Sequence, residues 1–113
     1  MGGQAVPDGG LRIDVASSPE GSRVELAGDL DLAGVAAADA AIRDAMARPG
    51  DVTIDLSRLE FIGSEGIRLV LLACERAEAD GHALRVVAGD GAAGRLIGIL
   101  GLVERLGVDG SAG

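Results

Sequence analysis

The stretch that decides the fold is VTIDLSRLEFIGSEGIRLVL, residues 52–71. Apolar and polar side chains alternate over residues 52–56, which is the period of a strand with one buried face. From Ser64 onward the apolar residues recur at helical spacing through residues 64–80. Gly81 follows at the position where helices commonly end. The sequence therefore predicts a strand that leads through a short glycine-flanked turn into an amphipathic helix.

The rest of the chain shows the same two periods. Alternation predicts three further strands, and helical spacing predicts two further helices. A turn cluster at 17–22 joins the first two strands into a hairpin. The predicted strands lie at 11–15, 23–27 and 83–88, the helices at 32–47 and 92–100, and a final short segment of undetermined type at 103–108.

Polar residues occupy one face of the predicted strands. Arg12 and Asp14 alternate with apolar neighbours in the first strand, and Thr53 and Asp55 do so in the third. A sheet covered by helices on both faces would not tolerate this alternation. The sequence therefore predicts an α/β fold whose mixed, four- to five-stranded sheet carries helices mainly on one face and shows the other to water. The predicted domain organisation is a flexible lead-in at 1–10, one domain at 11–108 and a flexible tail at 109–113.

Composition restricts the classes of partner. The net charge of −8 disfavours nucleic acid and anionic membrane surfaces. Phe61 is the one aromatic residue, which disfavours recognition of bases by stacking. All ten basic residues are arginines, so chemistry that needs a lysine is excluded. The first ten residues do not resemble a signal peptide, and the apolar run at 69–74 is too short to span a bilayer. We expect a cytoplasmic protein without a membrane partner.

Motifs for catalysis and cofactor binding are weak. GDGAAG, residues 89–94, matches a dinucleotide-binding pattern, but too few residues follow it to complete such a sheet. We interpret it as a strand-to-helix turn and keep a nucleotide-binding or enzymatic protein as a third hypothesis. Ser64 and His82 stand at opposite ends of one helix, about 24 Å apart, so they cannot form a nucleophile–base pair. We predict no catalytic residues, no metal site, no cofactor and no enzymatic activity.

Two polar segments precede predicted helices. Asp29 and Asp31 precede the first, where we expect Asp31 to cap the helix. Ser64 precedes the second, and the residues alone leave two alternatives evenly matched. It caps the helix, or its hydroxyl accepts a phosphate at the electropositive helix N-terminus. A phosphate there would add about two negative charges beside Glu65.

Residues 52–71 resemble the signature of bacterial anti-sigma factor antagonists, the single-domain members of the STAS group. LAGDLD, residues 26–31, is similar to the family's Gly-Glu-Leu-Asp element, and LIGILGLVERLGV, residues 96–108, is similar to its closing helix and short final segment. The resemblance implies a STAS-like domain whose phosphorylated serine falls on Ser64. The chain departs from the family pattern at Gly63, where Asp is usual, and at Glu65, where Ser or Thr is usual.

The resemblance also implies a function in partner switching. The unphosphorylated antagonist binds an anti-sigma factor that is also a serine kinase, and thereby releases a sigma factor. The kinase, which binds ATP and Mg²⁺, phosphorylates the serine and ends the binding, and a phosphatase restores it. Gly63 and Glu65 favour a second function, a STAS subunit that binds partners in a signalling assembly or a lipid-transport complex without phosphorylation.

The expected partner-binding surface surrounds Ser64. Leu69 and Leu72 lie opposite the apolar stripe of the second helix, so they either form a docking patch or pack against a neighbouring helix. The expected partner-binding residues are Asp29, Asp31, Gly63, Ser64, Glu65, Leu69 and Leu72.

Overall fold

A computed structural model describes residues 10–100 and 108–109. These residues form five strands and three helices in the order β-β-α-β-α-β-α-β. The elements are β1 Leu11–Ser18, β2 Gly21–Leu30, α1 Leu32–Met46, β3 Asp51–Ile62, α2 Ser64–Asp80, β4 Leu84–Val87, α3 Ala92–Leu100 and β5 Val108–Asp109.

The strands form one sheet in the order β1-β2-β3-β4-β5. β1 and β2 pair antiparallel through a tight hairpin, and the pairs β2–β3, β3–β4 and β4–β5 are parallel. Parallel neighbours need a crossover, and α1, α2 and α3 each lie within one. The prediction of a mixed sheet in an α/β fold is confirmed.

One apolar core joins the sheet to the helices. The buried strand residues include Leu26, Ile54 and Val86, and the helices contribute buried residues such as Ile42 and Val70. Each lies at the alternating or helical positions that the sequence pattern assigns to the inside. On the other face of the sheet the side chains are mostly polar and at least partly exposed. The helices therefore cover mainly one face, as predicted.

The strand bounds differ from the prediction at the centre of the sheet. β2 and β3 run several residues further than the alternation at 23–27 and 52–56 indicates. Their pairing has register shifts between Glu25 and Ala27 and between Gly28 and Asp29. Both extra residues belong to β3, where each resets the alternation and hides the continuation of that strand from a period-two reading.

Other predicted features have mixed outcomes. Helices at 64–80 and 92–100 are confirmed. Of the final segment at 103–108, residues 103–107 lie outside the described residues, as do the lead-in through residue 9 and the tail from residue 110. Among the described helices, none combines the length and the apolar character needed to cross a membrane.

Candidate functional site

The parallel pairing of β2 and β3 assembles the predicted site. Asp29 pairs with Phe61, Leu30 pairs with Ile62, and the Gly63 amide donates a hydrogen bond to the Leu30 carbonyl at 2.9 Å. Because both strands end at the same edge of the sheet, α1 and α2 begin side by side. The acidic residues at the end of β2 and the serine after β3 are therefore neighbours, as the predicted partner-binding surface requires.

The two aspartates have different positions. Asp31 is the N-cap of α1, and its carboxylate accepts a hydrogen bond from the Ala33 amide at 3.2 Å. The prediction of capping by Asp31 is confirmed. Asp29 lies inside β2, is half-buried, and stands beside Phe61 on β3. Asp29 therefore places a carboxyl group near the end of β2 and does not cap α1.

Ser64 is the first residue of α2, and it is exposed. The N-cap is Gly63, which has extended backbone (φ −89°, ψ 178°) and supplies no side-chain hydrogen bond. The capping alternative for Ser64 is therefore wrong. Gly63 has no side chain to bond the free amides of the first turn, so the exposed Ser64 lies at a helix N-terminus without a side-chain cap.

The start of α2 is seated closely on the strand ends. A Cβ at Gly66 would lie 2.8 Å from Ile62 Cγ1 and 2.9 Å from Leu30 Cγ, which is closer than real side chains approach. A glycine at this position lets the first turn of α2 rest directly on the ends of β2 and β3. The packing of Gly66 against Ile62 and Leu30 therefore helps to position Ser64, two residues earlier.

A groove of about 440 Å³ lies between α1 and α2 and reaches Glu65, the residue after the serine. Two exposed leucines line it: Leu32 is 72% exposed and Leu72 is 44% exposed. Leu69 also lines the groove but is only 5% exposed and belongs to the core. For Leu69 the packing alternative is therefore correct. For Leu72 the exposure leaves the side chain accessible to a partner.

Charged residues line the same groove. Arg43 Nε donates to Asp39 Oδ2 at 2.8 Å, and Arg76 Nη1 lies 3.8 Å from Asp39 Oδ1. Arg68, one helical turn after Ser64, is exposed beside Glu65. These residues were absent from the predicted site. Leu32, Ala36, Asp39 and Arg43 recur at spacings of three and four, so they could have been recognised as one outward face of α1.

A second polar cluster centres on Asp55, which is 3% exposed although it lies on the face predicted to meet water. Its carboxylate accepts hydrogen bonds from the Ser57 amide at 2.8 Å and the Ser57 hydroxyl at 2.7 Å, and it pairs with Arg23. Burial alone would raise the pKa of Asp55, but the hydrogen bonds from Ser57 and the contact with Arg23 bring it below the usual value. The prediction that Asp55 meets water is wrong because these donors replace water.

The glycines of residues 89–94 lie in close contact with other parts of the same chain. A Cβ at Gly89 would lie 2.6 Å from Ser57 Cβ, and a Cβ at Gly94 would lie 1.9 Å from the Gly89 carbonyl oxygen. Gly89 also has φ +71°, which favours glycine. The close approach of the turn to β3 explains Gly89, and close packing within the turn explains Gly94, so the motif gives no support to the nucleotide-binding hypothesis.

The residues considered for hydrolysis do not form a site. Ser64 begins α2, and His82 follows the Gly81 that ends it. Cys74 is half-buried, and burial raises the pKa of its thiol, with further contributions from the carboxylates of Glu75 and Glu78. Within residues 10–100 and 108–109, no cluster of three His, Cys, Asp or Glu side chains could hold a metal ion.

The order of the elements and the mixed sheet define a small α/β domain of the STAS type. A family model described as the MlaB STAS domain matches residues 13–109, and the chain belongs to this family. It is also similar to the crystal structure of an anti-sigma factor antagonist from Mycobacterium paratuberculosis. The identity is 28%, the TM-score is 0.80, and the match covers 96% of this chain and 92% of that one.

A second solved structure shares the fold. It is the anti-sigma factor antagonist SpoIIAA in its unphosphorylated form, with 21% identity, a TM-score of 0.68 and 88% of each chain covered. A search of curated proteins found no match. The expectation that the chain resembles anti-sigma factor antagonists is thus confirmed by the family and by structural similarity.

Proposed function

We propose that this protein is an anti-sigma factor antagonist that binds an anti-sigma factor kinase in the cytoplasm and is switched by phosphorylation of Ser64. The observation that carries the proposal is the exposed Ser64 at the uncapped N-terminus of α2. A kinase can reach this hydroxyl without unfolding the chain. The similarity to the Mycobacterium paratuberculosis antagonist over nearly the whole chain supports the same class of function.

The charge around Ser64 makes a phosphate at this position effective as a switch. Asp29, Asp31 and Glu65 already surround the start of the two helices with negative charge. A phosphate adds about two more charges, while the free amides of α2 accommodate it locally. The fold thus tolerates the modification, whereas a partner that docks on this surface meets a changed potential.

The docking surface that we propose combines this charge with the groove between α1 and α2. Leu32 and Leu72 are exposed apolar side chains along the groove, and Glu65 connects it to the serine. Exposed apolar residues next to a charged switch are suited to a reversible protein interface. The anti-sigma factor kinase would therefore cover both Ser64 and Leu72, and a phosphatase would regenerate the binding form.

The first experiment incubates the full chain with candidate anti-sigma kinases, ATP and Mg²⁺, and locates the phosphate by mass spectrometry. We expect labelling of Ser64 in the wild type and none in Ser64→Ala. Ser17→Ala is the matched control, because Ser17 is an exposed serine near the opposite end of the sheet. Phosphate at another residue, with normal labelling of Ser64→Ala, would overturn the assignment.

The second experiment measures binding of the same kinase by calorimetry. We expect phosphorylation, or Leu72→Ser, to weaken binding about tenfold or more, which corresponds to about 1.4 kcal/mol. Leu72→Ser should leave the melting temperature nearly unchanged because Leu72 is 44% exposed. Leu69→Ser should instead unfold at a much lower temperature, since Leu69 is buried. Unchanged affinity of both the phosphorylated protein and Leu72→Ser would contradict the docking surface.

Glu65 favours a second candidate, a STAS subunit that binds its partner in a signalling assembly or a lipid-transport complex without phosphorylation. Glu65 is exposed and places a permanent negative charge in the same turn as Ser64. Such a charge partly imitates a phosphate. No labelling by any candidate kinase, together with partner binding that Glu65→Gln alters and Ser64→Ala does not, would favour this candidate.

A further inference from the structure

Among the described strands, β1 is paired on one side only, and its outer edge has no strand beside it. β1 is the first strand in the sheet order, and β2 is its one partner among the described strands. Its eight residues, LRIDVASS, pair with β2 in unbroken register from Leu11–Gly28 to Ser18–Gly21. Natural edges are commonly blunted by proline, a bulge or charged side chains, and of these β1 has only the charged residues Arg12 and Asp14. Within the described part of the chain, the edge therefore offers a row of backbone donors and acceptors to another strand.

Charges on β1 lack partners within the described fold. Arg12 and Asp14 are exposed on the face opposite the helices and flank Ile13. Across the strand pair, Arg12 stands beside Ala27, while Asp14 stands beside Glu25, which carries the same charge. Neither Arg12 nor Asp14 forms an ion pair with any described residue, and Glu25 lies 3.8 Å from Arg58. Asp14 thus has an acidic neighbour and an open side toward the edge.

We propose that β1 pairs antiparallel with β1 of a second copy of this chain, in a two-fold symmetric register centred on Ile13. In this register Arg12 of each copy stands opposite Asp14 of the other, so two symmetry-related ion pairs form across the interface. On the helix-covered face, Val15, which is 48% exposed, stands opposite Leu11 of the other copy. The two sheets join into one continuous sheet.

The charges select this register over its neighbours. A two-fold axis at Arg12 would place the two arginines opposite each other, and an axis at Asp14 would place the two aspartates opposite each other. A shift of one strand by a single residue would bring Arg12 opposite Ile13, although these side chains belong to different faces of the sheet. Opposite charges meet across the interface when the axis passes through Ile13. The second copy is therefore the occupant that the sequence of β1 fits.

Sedimentation of the full chain tests the proposal. We expect a dissociation constant of the dimer between about 1 µM and 1 mM, because a strand-edge contact without a large apolar surface gives modest affinity. Arg12→Asp places acidic residues opposite each other across the axis, and Asp14→Arg places arginines opposite each other. Each variant alone should associate about tenfold more weakly or worse than the wild type. Arg48→Asp, an exposed change after α1, is the control and should not alter association.

An equimolar mixture of Arg12→Asp and Asp14→Arg is the decisive measurement. The Arg12→Asp chain carries acidic residues at positions 12 and 14, and the Asp14→Arg chain carries arginines at both. In the proposed register these opposite charges face each other across the mixed interface. The mixture should therefore dimerise at concentrations where neither variant does alone. Circular dichroism of each variant checks that it is folded. A wild type that stays monomeric to about 1 mM would overturn the proposal. So would a dimer that neither variant weakens, or variants that stay apart when mixed.

Discussion

Asp55 shows how a buried charge is stabilised on the polar face of the sheet. Its carboxylate accepts two hydrogen bonds from Ser57 and contacts Arg23. Asp55→Asn keeps the size of the side chain but removes the charge that these donors match. We expect the variant to lose about 1–3 kcal/mol in the free energy of unfolding, measured in urea. Asp44→Asn, an exposed change on α1, should alter it by no more than about 0.5 kcal/mol.

The contribution of Asp55 depends on pH in a defined direction. Its pKa is lower in the folded chain than the usual value of 3.8. The stabilisation is therefore fully present above that value and is lost as the pH falls through the folded pKa. The difference in unfolding free energy between the wild type and Asp55→Asn should be constant near neutral pH and should shrink below pH 3.8. A difference that grows on acidification would contradict the assigned hydrogen bonds.

Single residues were the least predictable part of the site. Ser64 and Gly63 are adjacent, and a sequence pattern with an uncertainty of one residue cannot decide which of them caps α2. Leu69 is buried because it lies three residues after Gly66 and four before Ala73, both on the buried face of α2, which is rotated from the predicted stripe. Asp55 has an alternating position that indicates exposure, and its burial depends on Arg23 from the neighbouring strand. The burial of Asp55 is set by a tertiary contact that no local pattern contains.

The two ends of α2 offer a matched test of glycine at helix termini. Gly63 has extended backbone with φ −89°, which any residue adopts, whereas Gly81 ends the helix with φ +68°. Gly63→Asn adds a capping side chain and restricts the unfolded chain, so it should raise the unfolding free energy by about 0.5–1 kcal/mol. Gly81→Ala should lower it by about 1 kcal/mol because alanine is strained at positive φ. Thermal unfolding of both variants checks this, and shifts of the same sign would contradict the assigned capping.

At the scale of the elements, periodicity predicted helices better than central strands. The bounds 64–80 of α2 are set by its own apolar spacing and by Gly81, all of which are local. β3 exceeds its predicted length because two extra residues on its side of the pairing with β2 interrupt its alternation. The extra residues of β2 and β3 are those that bring Asp29 beside Phe61. The carboxyl ends that carry the candidate site were therefore the part of the sheet that the sequence located least well.

At the scale of the whole molecule, the two proposed surfaces lie on different parts of one sheet. Ser64 follows β3 at the centre of the sheet, and the proposed dimer edge is the outer side of β1, beyond β2. The order of strands separates the two surfaces, so self-association need not block a kinase. Fold class could be predicted from composition and alternation because both reflect the one core. The relative positions of the Ser64 surface and the proposed dimer edge could not be predicted, because they depend on which strand lies at the edge of the sheet.

The net charge of −8 also acts at this scale. The molecule extends 34 × 31 × 23 Å, close to the screening length of about 30 Å at 10 mM salt, so its charges repel one another across the whole chain. At 150 mM salt the screening length falls to about 8 Å, and this repulsion is largely removed. Salt also weakens the exposed ion pairs, such as Arg43–Asp39, but such pairs contribute at most about 1 kcal/mol.

We therefore expect the melting temperature of the monomer to rise by several degrees between about 10 and 150 mM NaCl. Differential scanning calorimetry at low protein concentration measures this without interference from the dimer. The double variant Asp80→Asn, Asp90→Asn removes two exposed negative charges away from the ion pairs described above, so its melting temperature should depend less on salt. A melting temperature that falls with added salt would mean that attractive pairs outweigh the net repulsion, contrary to this balance of charges.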